Sequence, residues 1–152
     1  MKAISALALV VGLIVTGTQG PTAAAPSCAI STAPLPAWTA TASPPSGVPH
    51  ALSPRRDVAA VLFGSPLTAP PRKDRNNKIL WIVRTPRNGR PLKVTATPIR
   101  QSKPVVRVQV PADSTPGEIY PSIIDVPTPG CWRFQLEWAG HRSTMTLAYQ
   151  SP

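Results

Sequence analysis

The stretch CWRFQLEWAGHRSTMTLAY, residues 131–149, alternates polar and large apolar side chains on both sides of a short turn. In its first half the odd positions are Cys, Arg, Gln and Glu, and the even positions are Trp132, Phe134, Leu136 and Trp138. Successive side chains of a β-strand point to opposite faces, so the four large side chains share one face. Such a face is typical of a hydrophobic core. The pattern therefore predicts that both tryptophans lie in the core and do not form a ligand-stacking platform.

The second half of this stretch predicts the returning strand of a hairpin. Residues 143–149 place Met145, Leu147 and Tyr149 on one face, and the intervening AGHR is predicted to form the turn. Cys131 lies on the face opposite to the tryptophans, which suits a bridge to a segment at the edge or end of the sheet.

The rest of the chain predicts an all-β fold. Its 21 prolines among 152 residues are incompatible with a helical protein, because proline removes a backbone donor and clashes with the preceding turn. Residues 58–63 and 78–84 are almost continuously apolar, which indicates strands buried on both faces. Further strands are expected in three segments, which are residues 92–97, 105–110 and 120–126.

Turn signals separate these strands at short intervals. Asn88-Gly89 is a strong hairpin signal between the strands at 78–84 and 92–97. About seven short strands with such turns predict a small antiparallel two-sheet β-sandwich, Ig-like in the broad sense. A small closed β-barrel is the second choice.

The N-terminus has the three parts of a secretory signal peptide. Lys2 is followed by an apolar run to Val15 and by small residues that end at Ala25. The run is shorter than the roughly 20 residues that span a bilayer. We therefore expect a signal peptide at residues 1–25 and a secreted, extracellular or envelope-associated protein. An uncleaved anchor and lipidation of Cys28 are the alternatives.

Residues 26–56 form a leader rich in Pro, Thr and Ala, and residues 57–152 are expected to form the β-sandwich domain. The leader carries no charged side chain up to residue 54. It is either a flexible arm or a segment that lies along the domain. Cys28 and Cys131 are the two cysteines of the chain, and in an exported protein an even count predicts a disulfide.

The positive charge is concentrated in the middle of the chain. The net charge is +10, and residues 55–107 contain thirteen Lys or Arg against two Asp. A basic region attracts polyanions, although solvated side chains in an Arg-rich composition are the alternative interpretation. The candidate anion-binding residues are Arg72, Lys73, Arg75, Arg84, Arg87, Arg90 and Lys93.

The partner is expected to be an anionic cell-envelope polymer or lipid, or another protein. Nucleic acid is not expected, because Trp81 is the one aromatic residue among these cations and single-strand binders supply several stacking rings. No membrane-spanning segment is expected after removal of the signal peptide.

Four segments resemble a group of small secreted actinobacterial proteins with an NKILW strand and a C-terminal PGCW β-hairpin. They are VAAVLFGSPL, NNKILWIV, PGEIYPSIIDVPTPGCWRFQLEWAGH and TMTLAY. The resemblance covers roughly residues 57–149, and PGCWRFQLEW is its most specific part. It implies export and a β-sandwich, and it implies no activity and no site residues.

The chain offers little for catalysis or for metal binding. His50 lies in the leader and His141 in the predicted final turn, where an oriented catalytic base is not expected. The close ligand pairs of zinc modules are missing from the sequence. We therefore expect no enzyme activity, no catalytic residue, no metal and no cofactor.

Two functions remain open at the level of sequence. The first is a non-catalytic cell-envelope or extracellular binding module. The second is a secreted protease inhibitor that presents residues 66–77 or 111–116. An enzyme would be indicated by a concave pocket that holds either histidine with a carboxylate and a Ser or Thr.

Overall fold

The structure, a computed structural model, describes residues 28–152. The predicted signal peptide lies outside the described residues. The described part contains one 3-10 helix and eight strands: η1 (Ala37–Ala42), β1 (His50–Leu52), β2 (Val58–Leu62), β3 (Lys78–Val83), β4 (Leu92–Pro98), β5 (Val106–Val110), β6 (Ile119–Ile123), β7 (Gly130–Trp138) and β8 (His141–Tyr149).

The strands form two antiparallel sheets of four strands each. Sheet I has the order β1-β2-β3-β6 and sheet II has the order β5-β4-β7-β8. The strand after β3 joins the opposite sheet, and β6 returns to pair with β3, as in Ig-like sandwiches. The predicted all-β sandwich is confirmed. The closed barrel is wrong, because the two sheets do not join into one.

The inner faces of the two sheets form the main core. Burial along β7 alternates strictly, so that Trp132, Phe134, Leu136 and Trp138 are buried while their neighbours are not. The Phe134 ring lies between Trp81, with 5.6 Å between centroids, and Tyr149, at 6.4 Å. The exposed fractions of Trp132 and Trp138 are 0% and 2%, which confirms that both belong to the core.

The C-terminal hairpin has a tighter turn than the sequence predicts. Trp138 pairs with His141, so Ala139 and Gly140 alone form the loop. Both have positive φ, 44° and 82°, which is the geometry of the two-residue turns that match strand twist. His141 is therefore the first residue of β8, and its placement in the turn was wrong.

The hairpin predicted at Asn88-Gly89 is also wrong. The turn itself forms, because both residues have positive φ and the Arg90 N–H donates to the Arg87 carbonyl oxygen at 2.9 Å. However, β3 pairs with β2 and β6, whereas β4 pairs with β5 and β7. Both edges of β3 are occupied within sheet I, so the turn carries the chain from one sheet to the other.

The leader lies along the domain. Leu35, Trp38 and Val48 pack against the outer face of sheet I, where Val61 and Ile82 are buried. This cover explains why β2 and β3 are apolar on both faces. Residues 50–52, which were assigned to the leader, form the edge strand β1, and Ser31 exchanges backbone hydrogen bonds of 2.8 and 2.9 Å with His50.

Cys28 and Cys131 form the predicted disulfide, with 6.0 Å between their Cα atoms and a sequence separation of 103. Cys131 lies at the start of β7 on the outer face of sheet II, opposite to Trp132, as predicted. A cysteine in a disulfide has no thiol to acylate, which argues against lipidation of Cys28. Among residues 28–152, no helix has the length and apolar character needed to cross a bilayer.

Candidate functional site

The structure divides the predicted anion-binding residues between opposite ends of the sandwich. Arg72, Lys73 and Arg75 lie in the connection from β2 to β3. Arg84, Arg87 and Arg90 lie in the connection from β3 to β4, and Lys93 lies near the start of β4. The six residues of β3 between the groups span about 20 Å, so the seven cations do not form one surface.

Several of the seven side chains are occupied by contacts within the protein. Both Arg72–Asp74 hydrogen bonds are 2.8 Å long, and hydrogen bonding from Arg72 lowers the pKa of the Asp74 carboxyl to about 2. Arg75 donates to the carbonyl oxygens of Ser65 and Pro66 at 3.0 and 3.2 Å. These bonds fasten the β2–β3 connection and reduce the capacity of these two arginines for an external anion.

Arg87 has the most contacts of the set. Its guanidinium donates to the Glu118 carboxylate at 3.2 Å, to the Ile119 carbonyl oxygen at 2.6 Å and to the Gly117 carbonyl oxygen at 3.0 Å. It also lies 5.5 Å from the centroid of the Tyr120 ring. Its side chain is 11% exposed. Arg87 is therefore a structural residue that joins two loops.

A different cationic surface is formed by the outer face of sheet II. The leader covers sheet I, whereas the outward side chains of β4, β5, β7 and β8 are exposed or half-buried. The strand register arranges them in three rows: Gln109, Lys93, Glu137 and Arg142; Arg107, Thr95, Gln135 and Thr144; and Thr97, Arg133 and Thr146. We call these eleven residues the cationic face.

The cationic face has four permanent cations and one carboxylate. Glu137 pairs with Arg142 at 3.2 Å, and both side chains are largely exposed. Within the described chain, Lys93, Arg107 and Arg133 have no ion pair. Neighbouring strands are about 4.8 Å apart and alternate residues about 6.7 Å apart, so the charges lie on a regular grid.

An open groove of about 1040 Å³ continues the cationic face at one end. It lies between the β3–β4 connection and the Ala139-Gly140 turn. Arg90, Lys93 and Arg142 supply positive charge to its walls, and Glu137 supplies the carboxylate. The buried Trp138 also contributes to its lining. The groove extends the face beyond the sheet and shares three of its residues.

A second, smaller pocket brings together residue types that an enzyme would need. Its lining includes His141, Asp57 and Thr85. The Thr85 hydroxyl oxygen accepts a hydrogen bond from Trp138 Nε1 at 3.1 Å, and the His141 ring lies against the Trp138 ring with 5.6 Å between centroids. Among the described residues, no hydrogen bond joins the imidazole to this carboxylate or to Thr85.

The Asp57 carboxylate is instead a structural acceptor. It accepts hydrogen bonds from Ser53 at 2.7 Å and from Ser143 at 2.6 Å, and its other oxygen lies 2.9 Å from Arg55. Burial raises the pKa of Asp57, but the bonds from Ser143, Ser53 and Arg55 outweigh burial and the net pKa is lowered. The carboxylate thereby joins the β1–β2 turn to the start of β8.

The other histidine, His50, is buried in β1, where its Nδ1 lies 3.0 Å from the carbonyl oxygen of Val48. Residues 28–152 contain no group of three or more His, Cys, Asp or Glu side chains that could hold a metal ion.

Sequence reasoning missed Arg107, Arg133 and Arg142 as members of a basic surface. It assigned the basic surface to the middle of the chain alone, whereas β4 of the middle pairs with β7 near the C-terminus. The signal was present in the alternation of β5, β7 and β8, since outward positions of these strands carry the three arginines.

No protein-family model matches the chain, and no curated protein or solved structure matches it.

Proposed function

We propose that this chain is an exported, non-catalytic binding module that holds an anionic polymer of the cell envelope on its cationic face. The observation that supports the proposal is the excess of positive over negative charge on this face. Four cations share it with a single carboxylate, and three of them have no ion-pair partner in the described chain. A surface of this kind attracts polyanions and is screened by salt.

The shape of the surface favours a polymer over a compact ligand. The cations lie across four strands and continue into the open groove at Arg90, so a chain with repeated negative charges contacts several at once. The face carries Thr and Gln side chains and no aromatic ring. Recognition would therefore depend on charge and hydrogen bonds rather than on stacking.

Export is supported by the N-terminal signal pattern and by the disulfide, because disulfides persist mainly in oxidising compartments. The resemblance to secreted actinobacterial proteins identifies the material to be tested, which is isolated actinobacterial cell envelope.

The test measures retention of the oxidised protein, without its predicted signal peptide, on isolated actinobacterial envelope at low and high salt. The test variant is Arg107→Glu/Arg133→Glu, which reverses two exposed charges on the face. The control is Lys73→Glu/Lys103→Glu, which reverses two exposed charges in loops at one end of the sandwich. Both variants change the net charge equally.

We expect retention that weakens with salt, a large loss of retention for the face variant and a small loss for the control. Equal losses would indicate non-specific attraction to net charge. Retention that is unaffected by reversal of Arg107 and Arg133 would exclude the face as the site.

A second candidate function is inhibition of a trypsin-like protease by residues 66–77. The two ends of this loop are held together by the Asn77 side chain. Its Oδ1 accepts from the Thr68 N–H at 2.8 Å, and its Nδ2 donates to the Thr68 carbonyl oxygen at 2.9 Å. Lys73 is exposed at its tip. Inhibition of trypsin at micromolar protein that disappears in Lys73→Ala would support this function, and no inhibition would exclude it for this enzyme class.

A further inference from the structure

The outermost strands of the two sheets differ in whether their free backbone edge is blocked. The edges are formed by β1 and β6 in sheet I and by β5 and β8 in sheet II. An unblocked edge presents unpaired N–H and C=O groups that can accept another strand.

The edge of β6 is blocked by proline and by Arg87. The Val83 N–H donates to the Glu118 carbonyl oxygen just before β6. The backbone groups of even-numbered β6 residues therefore bond to β3, and those of odd-numbered β6 residues face the free edge. Pro121 is outward-facing and has no N–H to donate. The outward carbonyl oxygen of Ile119 already accepts from Arg87 at 2.6 Å.

The edge of β1 is also occupied, and the edge of β8 is occupied near its start and just beyond its end. His50 of β1 exchanges both backbone hydrogen bonds with Ser31. Beyond the end of β8, Gln150 donates to the Leu67 carbonyl oxygen at 2.8 Å and accepts from the Ala69 N–H at 2.9 Å. Near the start of β8, the Arg142 carbonyl oxygen accepts a hydrogen bond from Arg55.

At β5, in contrast, no hydrogen bond of the described chain occupies the edge at either end or in the middle. The Ile99 N–H donates to the Cys131 carbonyl oxygen. The backbone groups of odd-numbered β4 residues therefore bond to β7, and those of even-numbered β4 residues bond to β5. By the β4–β5 register, the backbone groups of Val106, Val108 and Val110 face β4, and those of Arg107 and Gln109 face outward. The side chains of Val106 and Val108 point to the core but are only partly buried.

We propose that this edge pairs with β5 of a second copy of the chain, antiparallel, about a two-fold axis at Val108. In this register Val108 lies opposite Val108 of the other copy, and these two residues exchange no backbone hydrogen bonds. On either side of the axis, Arg107 of one copy lies opposite Gln109 of the other. Each Arg107–Gln109 pair exchanges two backbone hydrogen bonds. The valine side chains meet on the core side, where each is incompletely covered in a single copy.

Neighbouring registers are less favourable. A two-fold axis at Arg107 opposes two arginines, and like charges directly opposite each other destabilise a strand pair. An axis at Gln109 brings Arg107 opposite Pro111, which has no N–H to donate. The axis at Val108 avoids both conflicts.

The dimer would contain a continuous eight-stranded sheet and a cationic face of twice the width. The dimer requires only the β5 edge, so the dimer proposal does not depend on whether the cationic face binds an anionic polymer. Because the two copies repel each other through their net positive charge, salt should strengthen the dimer. Salt should weaken polymer binding, so the two proposals fail independently.

The experiment is sedimentation equilibrium of the oxidised protein without its predicted signal peptide, in the absence of any polymer. Gln109→Arg places two arginine pairs across the axis and should weaken the dimer by about tenfold. Gln109→Glu creates two Arg–Glu pairs and should tighten it. Gln135→Arg makes the same charge change on the central strand β7 of the same face and serves as the matched control.

Gln109 and Gln135 are both exposed, so the three variants are expected to fold. The proposal predicts dimers for the natural sequence, with Gln109→Arg weaker and Gln109→Glu tighter than the control. A monomer at all concentrations up to about 1 mM, the weak end of measurable association, would overturn it. A dimer that Gln109→Arg weakens no more than Gln135→Arg does would also overturn it, because another surface would then form the interface.

Discussion

Arg87 Nε lies 3.2 Å from the Glu118 carboxylate, and the same carboxylate oxygen accepts the Arg87 backbone N–H at 2.7 Å. This pair joins the β3–β4 connection, which crosses between the sheets, to the loop that leads into β6. The carbonyl oxygens of Gly117 and Ile119 complete the contacts of the guanidinium. Arg87, which the sequence alone had suggested as a ligand-binding residue, thus fastens the crossing between the sheets to the loop before β6.

Replacement of Arg87 should reduce stability. Arg87→Ala leaves the partly buried Glu118 carboxylate without its cation and two carbonyl oxygens without their donor, and we expect a loss of about 2–4 kcal/mol in the free energy of unfolding. Arg87→Lys should restore only part of it, because an ammonium group lacks the planar fork of a guanidinium. Urea unfolding measures both.

Arg84→Ala is the matched control. Arg84 is exposed in the same connection and has no ion pair within the described chain, so its loss should change stability by no more than about 0.5 kcal/mol. Similar effects of the two alanine variants would show that the Arg87 contacts do not stabilise the crossing.

Asp57 should make the fold sensitive to acid. Burial alone would raise its pKa, but the stronger combined effect of Ser143, Ser53 and Arg55 lowers it in the folded chain. The unfolded state therefore takes up the proton first as the pH falls. The stabilisation from this carboxylate is complete above about pH 4, the ordinary value for an aspartate, and is lost as the pH falls through the lower folded pKa.

Asp57→Asn should lower stability at pH 7 by about 1–3 kcal/mol and should flatten the decline of stability below pH 4. Unfolding curves at several pH values test this, with Asp113→Asn in an exposed loop as the control. An acid dependence as steep in Asp57→Asn as in the natural sequence would assign it to other carboxylates.

Much of the fold could be predicted because its causes are local. The alternation of Trp132 to Trp138 determines which face is buried, and β4 and β8 alternate in the same way. The disulfide followed from the number of cysteines and the expected compartment. The turn at Asn88-Gly89 was also identified from local sequence. The local sequence does not show, however, that β3 pairs with β6, which lies about forty residues further along the chain.

The candidate site was predicted poorly because charge was read along the chain rather than across the sheet. Lys93 and Arg133 are forty residues apart in sequence, yet they lie on neighbouring strands of one face. Arg87 could not be separated from solvated arginines, since nothing local indicates that Glu118 and two carbonyl oxygens surround it. Long-range strand pairing decides both outcomes.

The Cys28–Cys131 disulfide should contribute strongly to stability. It closes a loop of 103 residues, and chain entropy for a loop of about 100 residues gives at most about 4.7 kcal/mol. We expect Cys28→Ser/Cys131→Ser to lose much of that value in urea unfolding and to become cleavable in the leader by added protease. Unchanged stability and unchanged protease resistance would show that the remaining leader contacts, such as Ser31 with His50, suffice to hold it.

Gly117 allows the β5–β6 loop to approach η1 closely. Its φ is +78°, and a Cβ added there would lie 2.9 Å from the Thr41 hydroxyl oxygen and 3.2 Å from the Ala42 backbone nitrogen. Gly89 also has positive φ, +68°, but a Cβ there would meet no atom within 4 Å. The two glycines therefore separate the cost of backbone conformation from the cost of a steric clash.

Gly89→Ala should lose about 1–2 kcal/mol from its left-handed backbone alone. Gly117→Ala adds overpacking against η1 and should lose about 1–3 kcal/mol more. Because η1 covers the apolar outer face of sheet I, Gly117→Ala should also increase binding of a hydrophobic dye, whereas Gly89→Ala should not. Adding Thr41→Ala to Gly117→Ala should recover part of the loss. Equal destabilisation by the two single variants, without dye binding, would mean that the leader adjusts freely to the added methyl group.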